Sequence, residues 1–491
     1  MITIVLFTCL IALSLRYLLQ KQNTRFYQLL EHFPSYPTYP LIGNLYKLYG
    51  PQDDNIGKME KIMEPYDRLL FWIGPIPTIM LKKYDDIMTV TNQCHDRDFH
   101  DFLKPWTDVG IVTARYDEWK KSRKMLSPAF SSQMLTKYVE VFNEKASILA
   151  DQFRSVVDTD EMVDIWDIVV NANMNTALEN IMGVSCEEKN NGGFTQVWMK
   201  ALQNMSKRIS TPWLHSRFAL WIYLNITGKI KLVEYVNEFP TKIIKDTLHD
   251  IRNGNEPVHS SKTVIDLLVK KSLTDDITET RMKDEVLQLI ATGMETSALN
   301  VSFSLLMLAI HQDVQQKVYQ EIKRLTPNDA PLTFDQLTND LKYLEQCIRE
   351  TGRMYTASIV TLRYTHKECA LHDNKIIPAG TNVLLHLHLS HYDKDLYENP
   401  RNWDPQHFSE QAVAKRPKGS DLLFGFGARS CIGYKYALLS IKTQLVHILR
   451  RYHLSTDIRE LTADNLKSDL MVRSKIGYPI RFVSRQKFPG F

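Results

Sequence analysis

Apolar positions return every three to four residues over Glu118–Ser127, Arg281–Gln312, Asp313–Leu325, Leu341–Met354 and Gly433–Arg451, a period that predicts helices. Two short pieces, Pro75–Leu81 and Asn382–Leu387, read as strands. No repeat or low-complexity tract interrupts this alternation, and no strong linker divides residues 50 to 485. The pattern predicts one large domain over residues 50–491, mainly α with small β-sheets (α+β). Its size exceeds the usual domain, which a large enclosed cofactor would help to hold together.

The N-terminus differs from this body. Ile2 to Leu15 carries no charge, and the run to Leu19 holds only Arg16. That is the short end of a bilayer span, with Arg16 able to reach the headgroups. No basic residue precedes the run and no small-residue cleavage site follows it, so a retained anchor over residues 1–20 is expected rather than a cleaved signal. Arg16, Lys21 and Arg25 behind it place the remainder on the cytoplasmic side. The sequons at Asn204, Asn225 and Asn300 would then go unused. Between anchor and domain, residues 21–49 contain Pro34-Ser-Tyr-Pro37-Thr-Tyr-Pro40-Leu-Ile-Gly43-Asn44, which reads as a stiff extended linker or an ordinary loop.

Composition narrows the function by exclusion. With 44% hydrophobic and 24% charged residues the chain is ordinary globular protein, and a net charge of +4 over 491 residues argues against nucleic acid as the partner. The six cysteines are scattered, with neither a C-x-x-C pair nor a Cys/His zinc spacing nor four thiolates for an iron–sulfur cluster. Such usage fits a reducing compartment.

Two segments carry chemistry. Phe424-Gly-Phe-Gly427-Ala-Arg429-Ser-Cys431-Ile-Gly433 places one thiol in a glycine-rich loop. Gly427 and Gly433 would supply the unusual dihedrals and missing side chains that let backbone approach a bound group closely. On its own, such a cysteine could equally be a structural thiol or a nucleophile. The second segment, Ala291-Thr-Gly293-Met-Glu295-Thr296-Ser297, interrupts an otherwise apolar helix. Gly293 in mid-helix costs about 1 kcal/mol relative to alanine and so asks for a reason. Glu295 and Thr296 there need partners; a threonine bonded to the carbonyl four residues back is the plain alternative.

The cysteine segment resembles the haem-binding signature F-x-x-G-x-R-x-C-x-G of the cytochrome P450 superfamily, and further motifs follow in that family's order. Trp119-Lys-Lys-Ser-Arg123 is similar to its W-x-x-x-R, and Glu350-Thr-Gly-Arg353 to its E-x-x-R, with Cys431 78 residues after Arg353 (431 − 353). The resemblance implies a cytochrome P450 fold enclosing haem b, with Cys431 as axial thiolate and metal ligand. Trp119, Arg123, Gly293, Arg363, Phe424, Arg429 and Gly433 would line the cofactor. Thr296 and Glu295 would deliver protons for oxygen activation. It implies a monooxygenase that takes electrons from an NADPH-cytochrome reductase, with cytochrome b5 as a second donor, at the endoplasmic reticulum membrane. Lys120, Lys121, Lys124, Lys415, Arg416 and Lys418 would form a basic face for the reductase. The segment from Lys207 and Arg208 through Trp213, Arg217, Phe218 and Trp221 to Tyr223 would be a lid at the membrane interface. Dioxygen and an apolar fatty acid, hormone or foreign compound would be the substrates.

Gly433-Tyr-Lys435-Tyr436-Ala437-Leu438 and Ser127-Pro128-Ala129-Phe130 resemble the animal microsomal clan that includes fatty-acid ω-hydroxylases, insect members particularly. Three positions depart from it. Thr292 stands where many of these enzymes carry a glutamate able to form an ester with the haem, so non-covalent haem is expected. His407 replaces the arginine that normally joins Glu350 and Arg353, leaving that network short of a charge unless the imidazole is protonated. Thr356 replaces a proline. These departures keep open a haem-binding carrier or sensor, or a weakly active homologue.

Overall fold

Each helix expected from the apolar period is present, within two residues at either end. The computed structural model describes residues 25–49, 55–97, 103–184, 192–253, 263–274, 277–326, 329–469 and 471–487, together with Ile11. The expected anchor, residues 1–20, lies outside the described residues except for Ile11. The helices used below are α1 Tyr84–Gln93, α2 Tyr116–Leu126, α3 Ser132–Asp151, α4 Trp166–Met182, α5 Gly192–Ser210, α6 Arg217–Ile226, α7 Ile230–Arg252, α8 Glu279–Ile310, α9 Gln312–Leu325, α10 Lys342–Met354 and α11 Tyr434–Leu449.

α8 is the axis of the helical body. Thr278 caps it by accepting from the Arg281 amide at 3.1 Å. Its sequence is apolar on nearly every side, so it must be surrounded. It packs most heavily on α4, then on α7 and α11, while α11 packs on α3. By length and composition α8 could cross a membrane, but 78% of its apolar window is buried inside the protein. It is a core helix.

A four-stranded sheet flanks this body. Its strands β1 Arg68–Ile73, β2 Ile76–Leu81, β3 Val360–Tyr364 and β4 Asn382–His386 lie in the order β1–β2–β4–β3, with β2 and β4 parallel and the other pairs antiparallel. Both strands read from sequence, β2 and β4, are the central ones. A separate apolar cluster, including Leu70, Ile79, Val383 and Leu385, lies under this sheet. A hairpin of β5 Leu466–Asp469 and β6 Met471–Ser474 returns the chain to α8.

The proline-rich segment is extended over residues 34–39, turns back over 40–43 so that Tyr39 and Gly43 bond to each other, and is not free. The Leu70 amide donates to the Pro34 carbonyl at 2.8 Å, and the fully buried Asn44 accepts from the Trp72 amide at 2.8 Å. Residues 34–44 are thereby docked along β1.

Candidate active site

The cysteine loop is built around its own backbone. The Cys431 amide donates to the Phe424 carbonyl at 2.8 Å, closing the loop just before α11. Gly427 adopts φ +72°, and a Cβ there would press on Thr91 at 3.0 Å, so glycine is needed on both counts. Gly433 does not behave as expected from the sequence. Its φ is −93°, and an added Cβ would make only an ordinary 3.5 Å contact with Phe130. Its contribution is its amide, which faces the Cys431 sulfur. The sulfur is accessible by surface area even though burial raises its thiol pKa. Both hold for an atom that is ringed by protein and opens onto an internal space. The Gly433 amide and the Arg123 guanidinium oppose that rise and favour the thiolate. Phe424 stacks obliquely with Tyr434, ring centroids 6.1 Å apart, beside the loop.

Beyond the loop, three arginines converge, and among the described residues none of them is in an ion pair with an acid; Asp96 acts on Arg429 only from a distance. Arg429 donates to the carbonyls of His95 (2.9 Å) and Ala114 (2.6 Å) and lies 4.6 Å over the Trp119 ring. Arg363, on β3, donates to the Leu362 carbonyl at 2.9 Å. Arg97 is the third. Burial pulls its pKa down to about 10. Burial and the repulsion of Arg97 and Arg429 pull Arg363 to about 9; burial and Arg97 do the same to Arg429. The Nε atoms of Arg97 and Arg363 and one terminal nitrogen of Arg429 are buried without a hydrogen-bond partner. Among the described residues no ion pair joins any of the three to a carboxylate. Nearby Asp96 is engaged by the Tyr116 amide and by His366.

α8 carries an open stretch of its own. Along this buried helix, Ala291, Thr292, Gly293 and Thr296 alone between residues 284 and 299 keep appreciable exposure, and a Cβ on Gly293 would meet nothing within 4 Å. The glycine leaves space beside the helix. Thr296 Oγ1 donates to the Thr292 carbonyl at 2.6 Å, and Thr292 Oγ1 to the Gln288 carbonyl at 2.7 Å. This is the backbone-bonded geometry set out above as the plain alternative. Glu295 points elsewhere, into an ion pair with Arg473 of β6. The structure therefore does not join Glu295 and Thr296 by a direct bond.

A second buried network lies behind the cysteine side. Glu350 and Arg353 on α10 are both fully buried and doubly bonded, at 2.7 and 2.8 Å. Arg353 also donates to the carbonyls of His391 (2.8 Å) and Pro400 (2.7 Å). His407 presents one ring nitrogen to Glu350 at 3.0 Å and the other to the Glu398 carbonyl at 2.6 Å. Two acceptors require two N–H groups, so the imidazole is the cation. Burial alone would lower its pKa, but Glu350 and the carbonyl raise it. The departure from arginine is thus compensated. Thr356 is compensated too: its hydroxyl bonds back to the Gly352 and Arg353 carbonyls, both at 3.0 Å, closing α10.

These features fit a haem. An accessible thiol, a stretch of α8 that leaves open space, and a cluster of buried cations lacking counter-charge suit a flat group with a metal centre and two carboxylates. Of the residues expected from the sequence, Cys431, Gly433 and Phe424 belong to the loop, Trp119, Arg363 and Arg429 to the arginine cluster, and Gly293 to the open stretch of α8. Arg123 lies apart from the other arginines, donating to the Ser430 carbonyl at 2.8 Å beside the sulfur. Sequence reasoning missed Arg97, which sits in no motif, and Arg473, whose partner is 178 residues away. The predicted basic face is also smaller than expected, because Arg416 turns inward to the His407 carbonyl at 2.6 Å.

Comparison with known proteins agrees. Residues 34–479 match the family described as Cytochrome P450. Cytochrome P450 4d1 of Drosophila simulans is 26% identical with 96% of each chain covered, and Cytochrome P450 4V2 of Pongo abelii is 25% identical with 91% of this chain and 88% of that one covered. The crystal structure of a cytochrome P450DA heme domain shares the fold at TM-score 0.79 and 19% identity, over 94% of this chain and 99% of its own. The chain therefore belongs to the cytochrome P450 family: it is a haem-thiolate monooxygenase that binds haem through a cysteine thiolate and oxidises an apolar substrate with electrons from a redox partner.

Proposed function

We propose that Cys431 is the axial ligand, that Arg97, Arg363 and Arg429 hold the haem carboxylates, and that Thr296 manages protons on the oxygen side. The cluster of three unneutralised arginines carries this assignment. Buried cations persist only where something pairs them, and no carboxylate among the described residues forms an ion pair with these three. When bound, the haem supplies the oxygen activation and C–H oxidation, with the thiolate favouring O–O cleavage.

The chain's own residues do the rest. The Gly433 amide and Arg123 stabilise the thiolate. The Thr296 hydroxyl, held by the Thr292 carbonyl, presents its oxygen to the open side of α8, where it can pass a proton on. Glu295 can take part only when its pair with Arg473 opens. Thr292 offers a hydroxyl and no carboxylate, so the haem is held without a covalent ester.

The reading extends to the membrane. Residues 1–20 act as anchor, 21–49 lead into the domain, and the domain from 50 onward faces the cytoplasm at the endoplasmic reticulum. Phe218, Trp221 and Ile226 on α6 are 71%, 59% and 80% exposed, an apolar patch that suits a lipid surface. Arg208 is not part of that surface; it is buried, donating to the Leu214 and Lys104 carbonyls. The Trp213 side chain lies outside the described residues. An NADPH-dependent reductase, with cytochrome b5 as a second donor, would dock over the exposed lysines near the cysteine loop. Fatty acids are the first substrates to try, on the resemblance to the ω-hydroxylase clan.

The test is Thr296→Ala, reconstituted with NADPH-cytochrome reductase and a panel of medium- and long-chain fatty acids. Product per NADPH should fall about tenfold, with the lost electrons recovered as hydrogen peroxide. Unchanged coupling would remove Thr296 from proton handling.

A further inference from the structure

One turn of α8 before the open stretch, three polar side chains are buried in succession: Asp284, Glu285 and Gln288, each at most 2% exposed. All three reach the same short segment. Gln288 Oε1 accepts from the Val112 amide at 2.8 Å, and the two N–H groups of its Nε2 are shared among the Thr113 hydroxyl (2.9 Å), the Thr107 hydroxyl (3.1 Å) and the Asp108 carbonyl (3.1 Å). Glu285 accepts from the Ile111 amide at 2.7 Å, and Asp284 from the Asp108 amide at 3.1 Å. The approach is so close that a Cβ on Gly110 would lie 2.6 Å from the Gln288 carboxamide. A segment with no regular hydrogen-bond ladder of its own thus takes its backbone partners from one face of α8.

That face continues into the site. The Gln288 carbonyl accepts from Thr292, and the Thr292 carbonyl from Thr296, so the clamp and the open stretch are successive turns of one row. Val109 and Val112, on the clamped segment, remain partly exposed while packing on the main core. On α7, Asn237 accepts from Lys283 at 2.6 Å, and Lys283 pairs with Asp284 at 3.2 Å, so the helix after α6 joins the same network.

We infer that Gln288, supported by Asp284 and Glu285, is a positioning residue that fixes residues 107–113 as a wall of the substrate space, and so sets affinity for ligands long enough to reach it. This rests on the haem-facing reading of α8. A side chain that only stabilised the fold would affect all ligands alike. A wall-positioning one discriminates by ligand length.

The experiment compares imidazole, which needs only the iron, with N-dodecylimidazole, which must also occupy the substrate space. Difference spectra are titrated on the haem-loaded full chain for wild type, Gln288→Leu, Gln288→Glu and Thr113→Val. Gln288→Leu should bind imidazole as wild type does and N-dodecylimidazole about tenfold more weakly. Gln288→Glu keeps an acceptor for the Val112 amide and should lose less. Thr113→Val removes one bond from the segment's side and should shift in the same direction as Gln288→Leu, even if that variant folds poorly. Equal losses for both ligands, or no loss for the long one in any variant, would overturn the inference. Absence of any imidazole spectrum in wild type would instead remove the haem reading beneath it.

Discussion

Arg353 and Arg429 are both buried arginines, and the company each keeps is opposite. Arg353 is matched by the Glu350 carboxylate and three backbone carbonyls, with His407 completing the network. Arg429 stands among two more cations, and one of its nitrogens has no partner. A buried charge costs several kcal/mol unless it is paired. The first network is closed by the protein and is structural. The second is left open among the described residues, which is the ground for our proposal that it holds the haem carboxylates.

The sharpest way to break this contrast is to open the closed network. Glu350→Ala strands the Arg353 and His407 cations in the core and should cost about 3–5 kcal/mol. Little folded haem protein should be recovered, as judged by thermal unfolding and haem content. The open cluster should respond with the reverse sign in haem-free protein. Arg429→Ala relieves repulsion with Arg97 and Arg363, so apo-protein stability should hold or rise. Haem retention should weaken about 10- to 100-fold, on the order of 1.5–3 kcal/mol for a lost charge-assisted contact. Haem transfer to an acceptor protein measures the second effect and urea unfolding the first. Loss of both together would mean that Arg429 is structural after all.

The smallest effect concerns His407. Its pKa is raised in the folded state, so its stabilising contribution is complete below the ordinary imidazole value and fades as pH rises through the folded one. Wild type should lose stability over that rise. His407→Arg, which cannot deprotonate, should flatten the pH dependence. An unchanged profile would show that His407 does not carry the charge.

The same contrast explains how much could be read from the sequence. α2, α8, α10 and α11 were legible because their apolar period is set locally, and the cysteine loop because its chemistry needs a fixed local spacing. The E-x-x-R pair was legible as a motif, but its full burial was not, since an i,i+3 pair on a solvated helix has the same spelling. Arg97 and Gln288 were invisible for a different reason. Arg97 acquires meaning only beside Arg363 and Arg429, and Gln288 only against residues 107–113, about 175 positions earlier. Gly433 was expected for its freedom of φ, but its φ is an ordinary −93° and it is its amide that faces the Cys431 sulfur. Glu295 and Thr296 were foreseen as polar breaks in an apolar helix, with a bond to the carbonyl four residues back as one option for the threonine; that Thr296 takes that bond while Glu295 turns to Arg473 is seen only in the structure.

The measurement closest to the centre of this account is the absorption spectrum of the reduced, carbon-monoxide-bound full-length protein, for wild type and Cys431→Ala. Wild type should show the strongly red-shifted main band of thiolate ligation, and the variant should lose it. A band typical of nitrogen ligation in wild type, or an unchanged band in the variant, would contradict Cys431 as the ligand.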